Sequence, residues 1–190
     1  MVWCIGRNMT KHVIAIVGMP GAGKSEVATV FDREGFACVH FGEVTLEEMV
    51  RKGLPVTEAN ERQVREALRA EHGMAAYALL NVPKIDAALQ GSSVVADGVY
   101  SWEEYALLKE RYGQQMVTVA VVASPGTREL RLGLRPVRPL SSEELESRDR
   151  SEIENINKGG PIAMADITLV NEGSVEDLER QVLIVAEGLK

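Results

Sequence analysis

Five short apolar runs rich in Val, Ile and Ala punctuate the chain: "HVIAIV" (12–17), "FACVHF" (36–41), "SVVAD" (93–97), "MVTVAVVA" (116–123) and "DITLVN" (166–171). Runs this short and this continuously apolar suit parallel strands covered on both faces. Between them the apolar positions recur with helical spacing, over 24–34, 43–52, 57–71, 73–90, 101–111, 125–134, 142–157 and 174–188. Alternating strands and helices predict an α/β fold, a doubly wound, five-stranded parallel sheet. Such sheets bind ligands beyond the carboxyl ends of their strands, so the last residues of each run are the first candidates for chemistry. Residues 12–190 read as one domain, preceded by a tail over 1–11. Two stretches exceed what a simple crossover needs. One is the helical insertion at 43–80; the other is a charged segment at 135–160, rich in Arg, Glu and Ser and bordered by Pro and Gly.

The first run leads into "GMPGAGKS", Gly18 to Ser25, which fits G-x-x-x-x-G-K-[ST] at every fixed position. Glycines let the backbone turn sharply and approach an anion closely, and the N–H groups opening the next helix form a cradle for phosphate. In this pattern Lys24 reaches the β- and γ-phosphates and the Ser25 hydroxyl serves Mg²⁺. A strand before the loop and "SEVATVFDREG" as a helix after it supply the expected context. "SVVAD" ends in Asp97, an apolar strand closing on a carboxylate, as expected of a Walker B group that positions Mg²⁺. An Asp-Gly turn would explain the same residues locally.

A GTPase would carry an Asn-Lys-x-Asp segment; the nearest string, "NKGG" at 157–160, lacks the Asp and follows no strand. A small kinase needs positive charge around the transferred phosphoryl group and a cover against water. Arg128, Arg131, Arg135 and Arg138 recur at spacings of three and four, followed by Arg148 and Arg150. The first of these share one helical face. They fall where a lid would lie, although a solvated face paired with Glu129, Glu143, Glu144 and Glu146 accounts for any single one of them. Arg131 and Arg135 are the arginines assigned to neutralising charge during transfer.

Composition narrows the class further. Across 190 residues, 45% are hydrophobic and 26% charged, with a net charge of −7, which disfavours a general nucleic-acid or membrane-surface binder. Cys4 and Cys38 have no metal-ligand spacing, and so few thiols suit a cytoplasmic protein. No apolar run approaches a membrane span, and the start is too short and polar for a signal peptide.

With these motifs in place, the chain resembles P-loop kinases of the adenylate kinase and dephospho-coenzyme A kinase type, and more closely a group of small archaeal-type nucleotide-kinase homologues. The resemblance spans about 12–188. It is carried by "VIAIVGMPGAGKSEVA", "FGEV", "ALRAEHGMAAYA", "VVADGVYSWEE", "VVASPGTRELRL", "ESRDRSEIE" and "MADITLVNEGSVEDL". It implies ATP and Mg²⁺ as cofactors, acceptor binding by the helical insertion at 43–80, and a lid over 135–160. The implied ATP contacts are Gly18, Pro20, Gly21, Ala22, Gly23, Lys24, Ser25 and Glu26, joined by Asn171 and Gly173, where relatives wrap the adenine. The implied metal ligands are Ser25 and Asp97, and Lys24, Asp97, Arg131 and Arg135 are the implied catalytic set. Two departures stand out. Where relatives carry acceptor-gripping arginines, this chain has Leu46, in "GEVTLEE", and Tyr100, in "DGVY". Arg51, Arg62, Arg65 or Arg69 could substitute for those arginines, and Glu43, Arg69 and Tyr100 are the leading acceptor candidates. His40, at the end of the second run, could act as a base, though a packed strand-end histidine fits equally. The expected activity is ATP- and Mg-dependent phosphoryl transfer to a nucleotide-like small molecule. The alternative is a nucleotide-dependent regulatory binder or weak ATPase.

Overall fold

The computed structural model describes residues 10–136 and 139–190, with Glu58 described by its backbone alone; the tail (except its last two residues) and Arg138 lie outside. Five strands form one parallel sheet in the order β2-β3-β1-β4-β5: β1 Val13–Val17, β2 Ala37–His40, β3 Val94–Asp97, β4 Met116–Val122 and β5 Ile167–Val170. The helices between them are α1 Lys24–Arg33, α2 Glu43–Arg51, α3 Glu58–His72, α4 Ala76–Ala88, α5 Trp102–Tyr112, α6 Pro125–Gly133, α7 Ser142–Ile156, α8 Gly159–Ala163 and α9 Val175–Gly188. The doubly wound parallel fold expected from the alternating runs is the fold observed.

β1 shows why. All five of its residues are buried, and its side chains alternate between faces. Val13, Ala15 and Val17 join a core with Met49, Leu68, Tyr77, Ile85 and Leu108, beneath α2–α5. Ile14 and Ile16 join a second core with Val27, Phe31, Leu178 and Val182, beneath α1 and α9. Strand register then aligns the chemistry. His40 pairs with Asp97, Asp97 with Ile16, Val17 with Ala120 and Val122 with Val170, so the phosphate loop, His40, Asp97 and the β4 and β5 ends share one edge of the sheet.

Two short elements escape the periodicity reading, a 3₁₀ turn at Gly113–Gln115 and helix α8. "KGGPIA" has the composition of a turn, yet it is helical because it packs under α5. A Cβ on Gly160 would come within 2.7 Å of the Trp102 ring. Trp102 is 39% exposed and forms a cover over α8, tilted against Tyr105.

Helix starts separate into two kinds. Thr57, Ser101, Ser124, Ser141 and Ser174 each accept a backbone N–H at the start of α3, α5, α6, α7 and α9. Helices α1, α2, α4 and α8 start without a side-chain cap, and of these α1 begins at Gly23, left-handed at φ 104°, at the end of the phosphate loop. The first-turn N–H groups of α1 are therefore available to an anion.

The cap of α5 has an unusual cost. Glu104 completes a capping box with Ser101, accepting N–H bonds from Tyr100 (2.7 Å) and Ser101 (3.3 Å), and is fully buried. Burial pushes its carboxyl up to about 7, against the pull of those N–H groups and the Arg69 and Lys158 charges. The folded-state pKa lies above the ordinary 4.5, so the folded protein binds this proton more tightly than the unfolded chain. Its contribution to stability is full at pH 4 and lost as pH rises through 7. Glu104→Gln should therefore gain stability relative to wild type, by on the order of 1–3 kcal/mol between pH 4.5 and 7.5, in urea melts. A pH-independent difference would contradict this assignment.

Candidate functional site

A cavity of about 500 Å³ opens at the carboxyl edge of the sheet. Its floor is the phosphate loop. Gly18 packs so tightly that a Cβ there would collide with the Val121 carbonyl of β4. Lys24 donates through Nζ to the Gly18 carbonyl (2.8 Å) and the Met19 carbonyl (3.1 Å), folding back over the loop. Burial lowers its pKa to about 7, with the nearby Lys158 charge adding to the effect. Ser25 and Glu26, in the first turn of α1, also line the cavity.

The loop is pinned from β5. The Asn171 side chain is buried and donates through Nδ2 to the Ala22 carbonyl (2.8 Å). A Cβ at Gly23 would run into that same amide. Arg131 completes the brace, donating to the Asn171 main-chain oxygen (3.0 Å), to Asn171 Oδ1 (3.1 Å) and to the Gly173 carbonyl (3.5 Å). Arg128 does a different job from that suggested by its place on the arginine face. It is buried and chelates Asp149 of α7 through two bonds (2.9 and 2.6 Å). It also reaches the Pro20 carbonyl (3.1 Å) and the Ala123 carbonyl (3.3 Å), tying α7 to the loop and to the end of β4.

Asp97 closes β3 with one carboxylate oxygen, Oδ2, 2.9 Å from His40 Nδ1. Tyr100 lies over Gly98, and its ring faces the Lys158 ammonium at 4.7 Å. Burial, then the Asp97 charge, pushes the Tyr100 phenol up to about 12. It stays protonated at neutral pH.

Of the residues singled out in the sequence, Pro20, Gly21, Gly23, Lys24, Ser25, Glu26, Asp97, Tyr100, Arg131, Arg135 and Asn171 all line this one cavity. Gly18, Ala22 and Gly173 do not line it; their backbones hold it in shape. The acceptor candidates divide. Glu43 sits exposed in the first turn of α2, and Arg69 of α3 stacks on Tyr77 at 5.4 Å, so neither lines the cavity. Arg148 and Lys158 do line it. Nothing local marks Lys158, whose "NKGG" context reads as a turn; only the packing of α7 and α8 brings it inward. A larger hollow of about 760 Å³, by Lys11, Asp86, Arg111 and Tyr112, lies at the opposite edge of the sheet. Arg111 and Tyr112 both bond Asp86 there, and Lys11 donates to the Gln90 carbonyl.

The donors suit a hard cation. Ser25 and Asp97 present oxygen atoms to the same cavity, and no group of three or more His, Cys, Asp and Glu side chains is placed to hold a metal among the described residues. That set fits Mg²⁺, which takes one or two protein oxygens and completes its shell with phosphate and water. Also among the described residues, no helix is long and apolar enough to cross a membrane.

Known proteins resemble this chain in sequence and in fold. A family model described as an AAA domain matches residues 14–157. The UPF0200 protein TK1334 of Thermococcus kodakarensis is 39% identical over 174 residues, covering 90% of this chain and 94% of that protein. The UPF0200 protein of Aeropyrum pernix is 39% identical over 170 residues, covering 88% of each. Among solved structures, TT1252 from Thermus thermophilus superposes with a TM-score of 0.67 at 23% identity, covering 95% of this chain and 98% of that one. A shikimate kinase from Acinetobacter baumannii in complex with shikimate gives 0.56 at 18%, covering 96% and 97%. Dephospho-CoA kinase from Campylobacter jejuni gives 0.55 at 12%, covering 95% and 98%. At these identities the structures speak for the fold, that of the small P-loop kinases. The curated relatives speak for descent, and the chain belongs to the UPF0200 family.

Proposed function

We propose that this protein is an ATP- and Mg-dependent kinase that moves the γ-phosphoryl group to a nucleotide-like small molecule. The observation that carries the proposal is the convergence of an uncapped α1, Lys24, two oxygen donors and the arginines Arg131 and Arg135 on one cavity. The α1 N–H groups and Lys24 would bind the β- and γ-phosphates. Ser25 Oγ and Asp97 would hold Mg²⁺, with His40 engaging Oδ2 and Oδ1 left for the cation. When bound, the ion neutralises charge on the phosphate oxygens. Arg131, braced on Asn171 and Gly173, would position the nucleotide beside the β5–α9 loop, and Arg135 would supply charge from the lid side. Transfer of this kind depends on positioning and electrostatics more than on a strong base.

The acceptor side favours a second reading. Neither Glu43 nor Arg69 lines the cavity, and Tyr100 and Leu46 stand where arginines were expected. A nucleotide-dependent regulator would need no small-molecule acceptor, and its binding to a partner protein would change between ATP and ADP. The two readings separate in one assay. Mg-ATP is mixed with a panel of nucleoside monophosphates, dephospho-coenzyme A and hydroxylated metabolites, and products are followed by ³¹P NMR. Wild type should phosphorylate at least one acceptor. Lys24→Ala and Asp97→Asn should each lower turnover by about 100-fold or more, in line with loss of electrostatic stabilisation in the transition state. ATP binding without transfer to any acceptor would overturn the kinase reading.

Lys24 also predicts a pH signature. Its pKa of about 7 should rise beside a phosphate oxygen, which favours the ammonium. Above pH 7, nucleotide binding should therefore take up a proton, and affinity should fall by up to about tenfold per pH unit until the pKa of the complex is reached. Calorimetry of Mg-ATP binding at pH 8, in two buffers of different ionisation enthalpy, reads this uptake directly. Heat independent of the buffer would contradict it.

A further inference from the structure

Lys158 is a buried cation that the proposed reaction does not yet use. It lies between α7 and α8, is 1% exposed, and lines the same cavity as Lys24. The chain is turned to put it there. Asn157 ends α7 in the left-handed conformation at φ 51°, and the Lys158 N–H bonds the Glu152 carbonyl (3.2 Å), closing the helix. The side chain then points inward against the Tyr100 ring and forms an ion pair with the Glu152 carboxylate. Glu152 also accepts a bond from Arg148 Nε (3.1 Å), so one carboxylate serves two cavity-lining cations.

A purely structural account of this arrangement is weak. Burying an ammonium is costly, and apolar side chains of similar volume usually serve stability as well or better. An ammonium carries three donors, and among the described residues Lys158 Nζ bonds Glu152 alone. Lys158 lines the same cavity as Lys24, whose pKa is lowered first by burial and then by repulsion from the Lys158 ammonium. A polyphosphate between them would relieve that repulsion and engage the unused donors. Its oxygens would then compete with the Glu152 carboxylate for Lys158 and Arg148.

We propose that Lys158 is a second phosphate-binding lysine facing Lys24, and that Glu152 is its built-in counter-ion, displaced by the β- and γ-phosphates of a bound nucleoside triphosphate. The proposal rests on the nucleotide-binding part of the proposed function and not on the transfer step. It makes Glu152 a brake on triphosphate affinity, set by the competition between one carboxylate and the incoming anion.

The test is calorimetric titration of Mg-ATP and of inorganic tripolyphosphate into wild type, Lys158→Met, Lys158→Arg and Glu152→Gln, with thermal melts alongside. Lys158→Met should weaken both ligands at least tenfold, and Lys158→Arg should restore most of the loss. Glu152→Gln should tighten both at least threefold. The opposite signs are diagnostic, since a mere structural clamp would make both partners' variants bind more weakly. Full triphosphate affinity in Lys158→Met, or unchanged or weakened affinity in Glu152→Gln, would overturn the proposal. Should Lys158→Met fail to fold, Glu152→Gln decides alone, and unchanged or weaker binding overturns it. A wild type that binds neither ligand also overturns it. If wild type binds Mg-ATP but phosphorylates nothing, the kinase reading falls while these affinities still judge Lys158. If wild type transfers phosphate and Lys158→Met keeps full affinity, this inference falls and the kinase reading stands.

Discussion

Lys24 and Lys158 line one cavity, and the cost of burying two ammonium groups there is the constraint that the rest of the site must answer. Each is buried enough for desolvation to lower its pKa. Lys158 is relieved by its ion pair with Glu152, whereas Lys24 turns to the Gly18 and Met19 carbonyls. Arg131, Arg135 and Arg148 add more positive charge to the walls, in a chain whose net charge is −7. A positive pocket set in an acidic protein attracts small polyanions without making the whole molecule a binder of nucleic acid. The uncapped start of α1 points the same way, because its free N–H groups also favour an anion.

Holding these cations in place demands a rigid frame. Parallel register brings the ends of all five strands to one edge of the sheet. Asn171 ties the last of those ends to the first loop, and Arg131 ties Asn171 to α6. Arg128 binds Asp149, the Pro20 carbonyl and the Ala123 carbonyl at once. This one buried guanidinium therefore links the phosphate loop, the end of β4 and α7. Neither Arg128 nor Asn171 lies in the phosphate-loop motif, yet the shape of the loop depends on both.

Much of this was legible in the sequence because it is local. "VIAIV" must be a buried strand, since both of its faces are apolar, and "GMPGAGKS" carries its geometry in its own glycines. Asp97 could be read from the strand it ends. The remainder depends on tertiary contacts that no short pattern records. Arg128 and Arg131 sit at lid-like spacing, but the structure turns one to Asp149 and the other to Asn171. "KGGPIA" reads as a turn until Trp102 is seen covering it. Lys158 was visible only as part of a failed GTPase motif, because its meaning comes from α7 folding back over the cavity. Glu43 and Arg69 were named from the resemblance alone; in the fold they lie on α2 and α3, outside the lining of the phosphate-loop cavity.

The most direct test of the central claim is a crystal structure with Mg²⁺ and a non-hydrolysable ATP analogue. The account predicts the β- and γ-phosphates on the start of α1, in contact with Lys24. The cation should lie between Ser25 and Asp97, and Lys158 should have left Glu152 for phosphate oxygen. A triphosphate bound away from α1, or bound there with the Lys158–Glu152 pair intact, would contradict it.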